Sequence, residues 1–157
     1  MGYSILKILH IVSMIVFMGN ITIGIFWLRY ALKTRDFGII NHTIKGIIRA
    51  DRIFTIPSVS LLLLAGIGAA MHGGYPIFGT GWILWSLVLL GISGFAFSAM
   101  LAPVQRKIRT LTEAGGKPSD SEWQKLQTLI RQWNIWGFVA WFTPFLALLM
   151  MIMKHPR

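Results

Sequence analysis

A single histidine, His10, lies inside the first long apolar stretch of the sequence. An ionisable side chain there is costly unless it faces a protein interior, a cavity or a cofactor. Steps of three and four residues from His10 reach Ser13, Phe17 and Asn20, so these side chains share one face of a helix. A neutral imidazole in apolar surroundings can ligate haem iron. The pattern favours a haem b site with His10 as axial metal ligand and Ser13, Phe17 and Asn20 around it.

A histidine that only hydrogen-bonds to a neighbouring helix fits the same pattern. The apolar interiors of the later stretches contain no second histidine, although His72 stands at the end of the second one. Met14, Met71 and Met100 are weaker candidate ligands, and their spacing is not diagnostic. The sequence alone therefore leaves both interpretations of His10 open.

A second polar group stands where the second apolar stretch begins. Arg52 could bind a carboxylate or a phosphate, and Thr55 follows about one turn later. A basic residue at the cytoplasmic end of a helix is, however, what membrane topology requires, and Asp51 can neutralise it. Arg52 and Thr55 are therefore secondary candidates for cofactor binding.

Several chemistries are excluded by what the sequence lacks. The chain has no cysteine, which rules out disulfides, thiolate ligands, iron–sulfur clusters and thioether-linked haem. It also has no nucleophile elbow, phosphate-binding glycine loop or zinc signature. No catalytic residue is predicted.

Four apolar stretches must position the candidate residues, and they cover residues 4–28, 53–71, 82–104 and 135–153. The chain has 157 residues, of which 55% are hydrophobic and 13% charged, and its mean hydropathy is +0.65. A helix of roughly 20 apolar residues crosses the bilayer core and satisfies every backbone polar group internally. We predict an all-α, integral membrane four-helix bundle that forms a single transmembrane domain over residues 1–157.

The distribution of basic residues predicts the topology. The net charge of +10 comes mainly from the connections 29–52 and 105–134, which carry six basic residues each, whereas the link 73–81 carries none. By the positive-inside rule, both basic connections are cytoplasmic and both chain ends lie outside. The placement favours a protein of the bacterial inner membrane, with the lipid bilayer as its partner and no nucleic acid.

Two local patterns refine this arrangement. Within 37–50, isoleucines recur at helical spacing while Asn41, Lys45 and Arg49 share the other face, which predicts an amphipathic cytoplasmic helix lying at the membrane surface. The alternative is that this segment extends the second membrane helix. Pro57 and Pro144 predict kinks, at which a nearby threonine hydroxyl can bond a freed carbonyl.

Roughly two thirds of the chain resembles the HemJ-type membrane protoporphyrinogen oxidases. Residues 7–12 (KILHIV) and 17–19 (FMG) resemble their first helix, residues 52–57 (RIFTIP) their second, and residues 81–86 (GWILWS) the start of their third. The resemblance implies that His10 holds haem b. Where those oxidases carry a functional lysine early in the third helix, this chain has Ser86.

The overall pattern is also similar to that of a family of small uncharacterised bacterial integral membrane proteins. This similarity includes residues 103–106 (PVQR) at the end of the third helix, and it implies the fold without an activity. Two functions therefore compete. The first is a haem b protein of redox or haem-handling type. The second is a non-enzymatic scaffold or accessory subunit, whose basic surfaces and small-residue faces would recruit lipids, a second copy or another membrane protein.

Overall fold

The chain forms four long helical rods. The computed structural model describes residues 2–156, and within that range all regular structure is helical. The helices are α1 (Gly2–Leu32), α2 (Phe37–Ala50), α3 (Ile56–His72), α4 (Gly81–Phe95), α5 (Ala102–Leu111) and α6 (Asp120–Met153). A π-helical segment, Asp51–Thr55, joins α2 to α3, and another, Ala96–Leu101, joins α4 to α5. The four rods are each long and apolar enough to cross a membrane, which confirms the predicted fold class.

Each π-helical segment ends two residues before a proline. The Ile56 N–H donates to the Asp51 carbonyl and the Ala102 N–H to the Phe97 carbonyl, so each bond spans five residues instead of four. Pro57 and Pro103 follow directly and cannot donate a backbone hydrogen bond. One wider turn in each rod therefore accommodates the proline while the helix continues beyond it.

Pro144 lies inside α6 and leaves the Ala140 carbonyl without its helical donor. The Ser93 hydroxyl of α4 donates to that carbonyl at 2.6 Å. The adjacent Thr143 hydroxyl, which the sequence suggested as compensation, instead donates to the Val139 carbonyl at 2.9 Å. The proline in α6 is thus compensated by a neighbouring helix, which ties α4 to α6.

The rods pair as two antiparallel hairpins, α1 against α2–α3 and α4–α5 against α6. At one end, a Cβ on Gly2 would lie 3.7 Å from His72 Nε2, and Lys154 Nζ lies 5.9 Å from the centroid of the Tyr75 ring. The termini of the described chain and the 73–80 link therefore share one end. The two basic connections meet at the other end, where the Phe37 N–H donates to the Gly116 carbonyl at 2.8 Å.

The segment 37–50 is amphipathic, but it does not lie flat on the membrane. Its residues Ile40 and Ile44 are fully buried in a protein core. That core also contains Leu28, Leu101, Val104, Ile108, Leu126 and Trp133. Asn41, predicted on the polar face, is buried and donates to the Arg109 carbonyl at 2.7 Å and to Thr112 Oγ1 at 2.9 Å. The prediction of an interfacial helix was wrong, and its alternative, an extension of the second membrane rod, was right.

The rods extend well beyond a bilayer core. α1 has 31 residues and α6 has 34, so at about 1.5 Å per residue they are roughly 46 and 51 Å long, against about 30 Å of hydrocarbon. α6 begins at Asp120 with a capping box, in which the Ser119 N–H donates to Glu122 Oε2 at 2.9 Å. The connections 29–52 and 105–134 are therefore mostly helix, and together they form a half-bundle built of α1, α2, α5 and α6. We call it the inner half-bundle because the positive-inside rule predicts that it faces the cytoplasm.

The opposite, outer half is packed differently. A small cluster of Met14, Phe17 and Leu62 contacts Leu90 and Leu148 of the other hairpin. Within residues 2–156, no Cα atom of α3 lies within 8 Å of a Cα atom of α4. Only 17–28% of the most apolar window of each rod is buried by protein. The remaining apolar surface is what a lipid-exposed rod presents, because the hydrocarbon can cover it.

Candidate functional site

His10 is held by the neighbouring rod. Its Nδ1 lies 2.8 Å from the Leu62 carbonyl of α3. A carbonyl oxygen only accepts, so the proton of a neutral ring is on Nδ1 and the lone pair is on Nε2. The ring is half-buried. His10 is therefore fixed in a single tautomer with its second nitrogen available to an acid, a donor or a metal.

Gly66 makes this position possible. A Cβ at residue 66 would lie 2.7 Å from His10 Nδ1 and 2.8 Å from Cε1, closer than carbon atoms can approach. The imidazole thus packs directly on the α3 backbone, one turn beyond the carbonyl that accepts its proton. A small residue at position 66 therefore allows α1 and α3 to pack closely here.

The fit of these residues to haem is partial. Metal-binding histidines commonly donate their other ring N–H to a backbone carbonyl, as His10 does. Ser13 and Phe17, however, are each only 3% exposed and are covered by protein. Asn20 lies about 15 Å further along α1 at 1.5 Å per residue and belongs to another cluster. The chain therefore offers a suitable ligand, whereas Ser13 and Phe17 are covered by protein and Asn20 lies elsewhere.

The candidate second metal ligands lie in different environments. The described residues contain no group of three or more His, Asp or Glu side chains that could hold a metal ion. His72 is exposed and its Nδ1 bonds the Gly68 carbonyl of its own helix at 3.1 Å, while Met14 is buried and Met71 is exposed. His72 and Met71 lie at the end of α3, whereas Met14 is on α1 with His10.

A second cluster surrounds the buried carboxylate of Asp51. Asn20 Nδ2 donates to Asp51 Oδ1 at 3.1 Å and to Thr55 Oγ1 at 2.8 Å. Thr55 Oγ1 donates to the same Oδ1 at 2.9 Å, and Gln105 Nε2 donates to Oδ2 at 2.9 Å. Asp51 and Gln105 are 6% and 3% exposed. We call Asp51, Thr55, Asn20 and Gln105 the Asp51 cluster.

The Asp51 cluster corrects the expectation for the second polar group. Arg52 is exposed, and the hydrogen-bond donors to the Asp51 carboxylate are the neutral side chains of the cluster. Thr55 was expected to act with Arg52 or to compensate Pro57, and it bonds Asp51 instead. The predicted set of His10, Ser13, Phe17, Asn20, Arg52 and Thr55 is thus divided between two places.

Gln105 was missed by sequence reasoning. It lies in α5, one residue after the predicted end of the third membrane span, where a polar residue needs no special explanation. Its side chain reaches across to the other hairpin, and only the fold brings it to Asp51. The sequence contained one hint. Pro103 lies two residues before Gln105, and a proline, Pro57, also follows the wide helical turn that contains Asp51.

Two open cavities lie away from both clusters. A cavity of about 630 Å³ at the inner end is lined by residues that include Leu32, Trp123 and Arg131. Another of about 480 Å³ at the outer end is lined by residues that include Trp82 and Lys154. None of the six predicted cofactor-binding residues lines either cavity.

Comparison with known proteins identifies the chain at the level of a family. Residues 4–155 match the family described as "Predicted integral membrane protein (DUF2269)", and the chain belongs to that family. No curated protein and no solved structure matches it. The family establishes an integral membrane protein, in agreement with the four apolar rods.

Proposed function

We propose that this integral membrane protein binds haem b through His10, in the bacterial inner membrane, and acts in a redox or haem-handling role. The supporting observation is the bond between His10 Nδ1 and the Leu62 carbonyl, which leaves Nε2 as the free lone pair. The resemblance of residues 7–12 to the first helix of HemJ-type oxidases points in the same direction. Haem, when bound, would supply one-electron chemistry at its iron.

The protein's own contribution to such a site is orientation. The Leu62 carbonyl holds the imidazole proton and so prevents the ring from turning its basic nitrogen inward. Gly66 keeps the ring against α3, and the buried Ser13 and Phe17 fill the interior beside it. The ligand must therefore approach the part of the ring that protein atoms leave uncovered.

The absorption spectrum of the detergent-purified protein, expressed with excess haem, tests this proposal. We expect a Soret band in the wild type, its loss in His10→Ala, and its retention in His72→Ala. His72 is a matched control because it is also a histidine bonded to an α3 carbonyl, but it is exposed. A wild type without a Soret band, or His10→Ala with full haem content, would contradict the assignment.

The second candidate, a non-enzymatic scaffold or accessory subunit, is favoured by a different observation. Gly91, Gly94 and Ser98 lie on the third rod at helical spacing, and all three are exposed. No atom lies within 4 Å of a Cβ built on either glycine. In lipid, such small-residue faces let the backbones of two helices approach closely. This face could pack on a second copy or on another membrane protein.

Disulfide crosslinking in native membranes tests the second candidate, because the chain has no cysteine of its own. We expect Gly91→Cys to form a covalent adduct under mild oxidation. Leu64→Cys is the matched control, since Leu64 is 69% exposed but lies on α3, in the other hairpin. Equal crosslinking at both positions, or none at Gly91→Cys, would contradict a specific interface on this face.

A further inference from the structure

The Asp51 cluster carries an inference that is independent of His10. A carboxylate at 6% exposure has lost most of its hydration, and charge buried in this way is normally matched by a cation or a metal ion. Here the neighbouring groups that bond it are two amides and a hydroxyl, all neutral. The basic residues nearest to Asp51 in sequence, Arg49 and Arg52, are both exposed. The positive charge that would balance Asp51 is therefore not supplied by these side chains.

The chemistry of the cluster suits a hard cation. Carboxylate, hydroxyl and amide oxygens are the ligands that such ions prefer. The amides of Asn20 and Gln105 can be turned over about their last bond, which exchanges nitrogen for oxygen at almost no change in shape. Turned in this way, they would direct amide oxygens towards the carboxylate and the Thr55 hydroxyl. Oxygens from three separate helical segments would then face a common point.

The backbone at this point is also unusual. Asp51 and Thr55 are the first and last residues of the π-helical segment, and the segment ends two residues before Pro57. Wide turns of this kind occur often at functional sites, and interrupted membrane helices bind ions where their regular ladder is broken. Asn20, on the opposing rod, is half-buried and gives the cluster one side nearer the surface.

We propose that Asp51, Thr55, Asn20 and Gln105 form a binding site for one small monovalent cation of the Na⁺ type. The charge of the ion follows from the number of negatively charged ligands, which is one. One carboxylate neutralises one positive charge, whereas a divalent ion would leave a buried excess of charge. The site links the two hairpins, because Gln105 comes from α5 and the other three residues from the first hairpin. Cation binding therefore stabilises the contact between the hairpins.

Equilibrium binding of radioactive Na⁺ to the full-length protein in detergent tests the site. We expect saturable binding of one Na⁺ per chain, lost in Asp51→Asn and retained in Asp120→Asn. Asp120 is the matched control because it is an exposed acid at the start of α6. Absence of saturable Na⁺ binding to the wild type overturns the proposal even if Asp51→Asn fails to fold.

Thermal unfolding provides a second measurement that separates Na⁺ from a proton. In the wild type, the melting temperature should rise with NaCl and stay unchanged with choline chloride at the same ionic strength. A melting temperature that depends on pH but not on Na⁺ would show that Asp51 is simply protonated, and the proposal would be wrong.

The variant Gln105→Glu tests whether the number of carboxylates in the cluster determines the charge of the bound ion. A second carboxylate should shift the preference towards a divalent ion, so that Ca²⁺ binds at least about tenfold more tightly, relative to Na⁺, than in the wild type. Equal destabilisation of the variant in NaCl, CaCl₂ and choline chloride would assign the cluster a purely structural role and overturn the proposal.

Discussion

At the scale of single residues, Gly66 determines what His10 can do. The glycine is not required for backbone conformation, because α3 is regular there. It is required because the imidazole occupies the space of its missing side chain. The contact between His10 and Gly66 would support either role of His10, a haem ligand or a packing residue. Its contribution to stability can therefore be measured without knowing which role applies.

We expect Gly66→Ala to destabilise the protein although alanine is the better helix former. The new methyl group would displace the His10 ring and break its bond to the Leu62 carbonyl, at a cost of about 1–3 kcal/mol. The measurement is thermal or denaturant unfolding in detergent. Gly46→Ala is the control, because Gly46 is exposed on α2 with no atom within 4 Å of a Cβ, and it should be neutral or stabilising.

The double variant His10→Ala, Gly66→Ala identifies the cause. Once the imidazole is absent, the methyl group meets no ring, so the cost of Gly66→Ala should largely disappear. An unchanged cost in the His10→Ala background would show that residue 66 matters for another reason.

The residue scale also shows what spacing along one helix can and cannot predict. Asn20 and His10 share a face of α1, and the pattern correctly indicated that this face points into the protein. It could not show that the two side chains meet different partners about 15 Å apart at 1.5 Å per residue. Gln105 was out of reach for the same reason, because its role depends on how two hairpins dock.

At the scale of the elements, the bond from Ser93 to the Ala140 carbonyl replaces the one that Pro144 cannot make. We therefore expect Ser93→Ala to cost more in the natural sequence than in a Pro144→Ala background, where the residue 144 N–H can satisfy the carbonyl. The difference should be about 0.6–1.7 kcal/mol, the range of interhelical hydrogen bonds in membranes. Unfolding of the four proteins of this cycle measures it, and additive effects would contradict the compensation.

Asn41 provides a test of where α2 lies. Asn41→Ala should lower the free energy of unfolding by about 1–3 kcal/mol, because it removes two hydrogen bonds, to the Arg109 carbonyl and to the Thr112 hydroxyl, that tie α2 to the other hairpin. Lys45→Ala, on the exposed face of the same helix, is the control and should change stability little. Equal, small effects at both positions would favour an α2 that lies on the membrane surface.

The position of α2 was wrongly predicted for a physical reason. A helix that faces lipid headgroups and one that faces a protein core show the same period of apolar residues. Isoleucines such as Ile40 and Ile44 satisfy either environment. Only the position of Asn41 distinguishes the two, and its buried bonds become visible once α5 is in place.

At the scale of the whole molecule, the four rods were predictable because each must satisfy its backbone within lipid. The structure places both basic connections at one end and the link 73–80 at the other, as the charge pattern requires. Which end faces the cytoplasm follows from the positive-inside rule and stays a prediction.

Labelling with a membrane-impermeant maleimide tests the orientation, again using the absence of cysteine. Phe78→Cys, in the link at the outer end, should react in intact cells, because residue 78 is 85% exposed. Ala114→Cys, exposed between α5 and α6, should react only after the cells are opened. The reverse pattern would show that the chain is inserted the other way round.

The length of the rods beyond the bilayer has a thermodynamic consequence. In water, burial of apolar side chains produces a large heat capacity change on unfolding, whereas helices that separate within lipid or detergent expose their apolar faces to more hydrocarbon. The inner half-bundle, with Ile40, Ile108 and Leu126 at its centre, should therefore supply nearly all of that change. On cooling, the packing of the inner half-bundle should become less stable, because hydrophobic burial from water weakens at low temperature, while the lipid-facing part should not. One continuous helix would then have two different temperatures of maximum stability along its length.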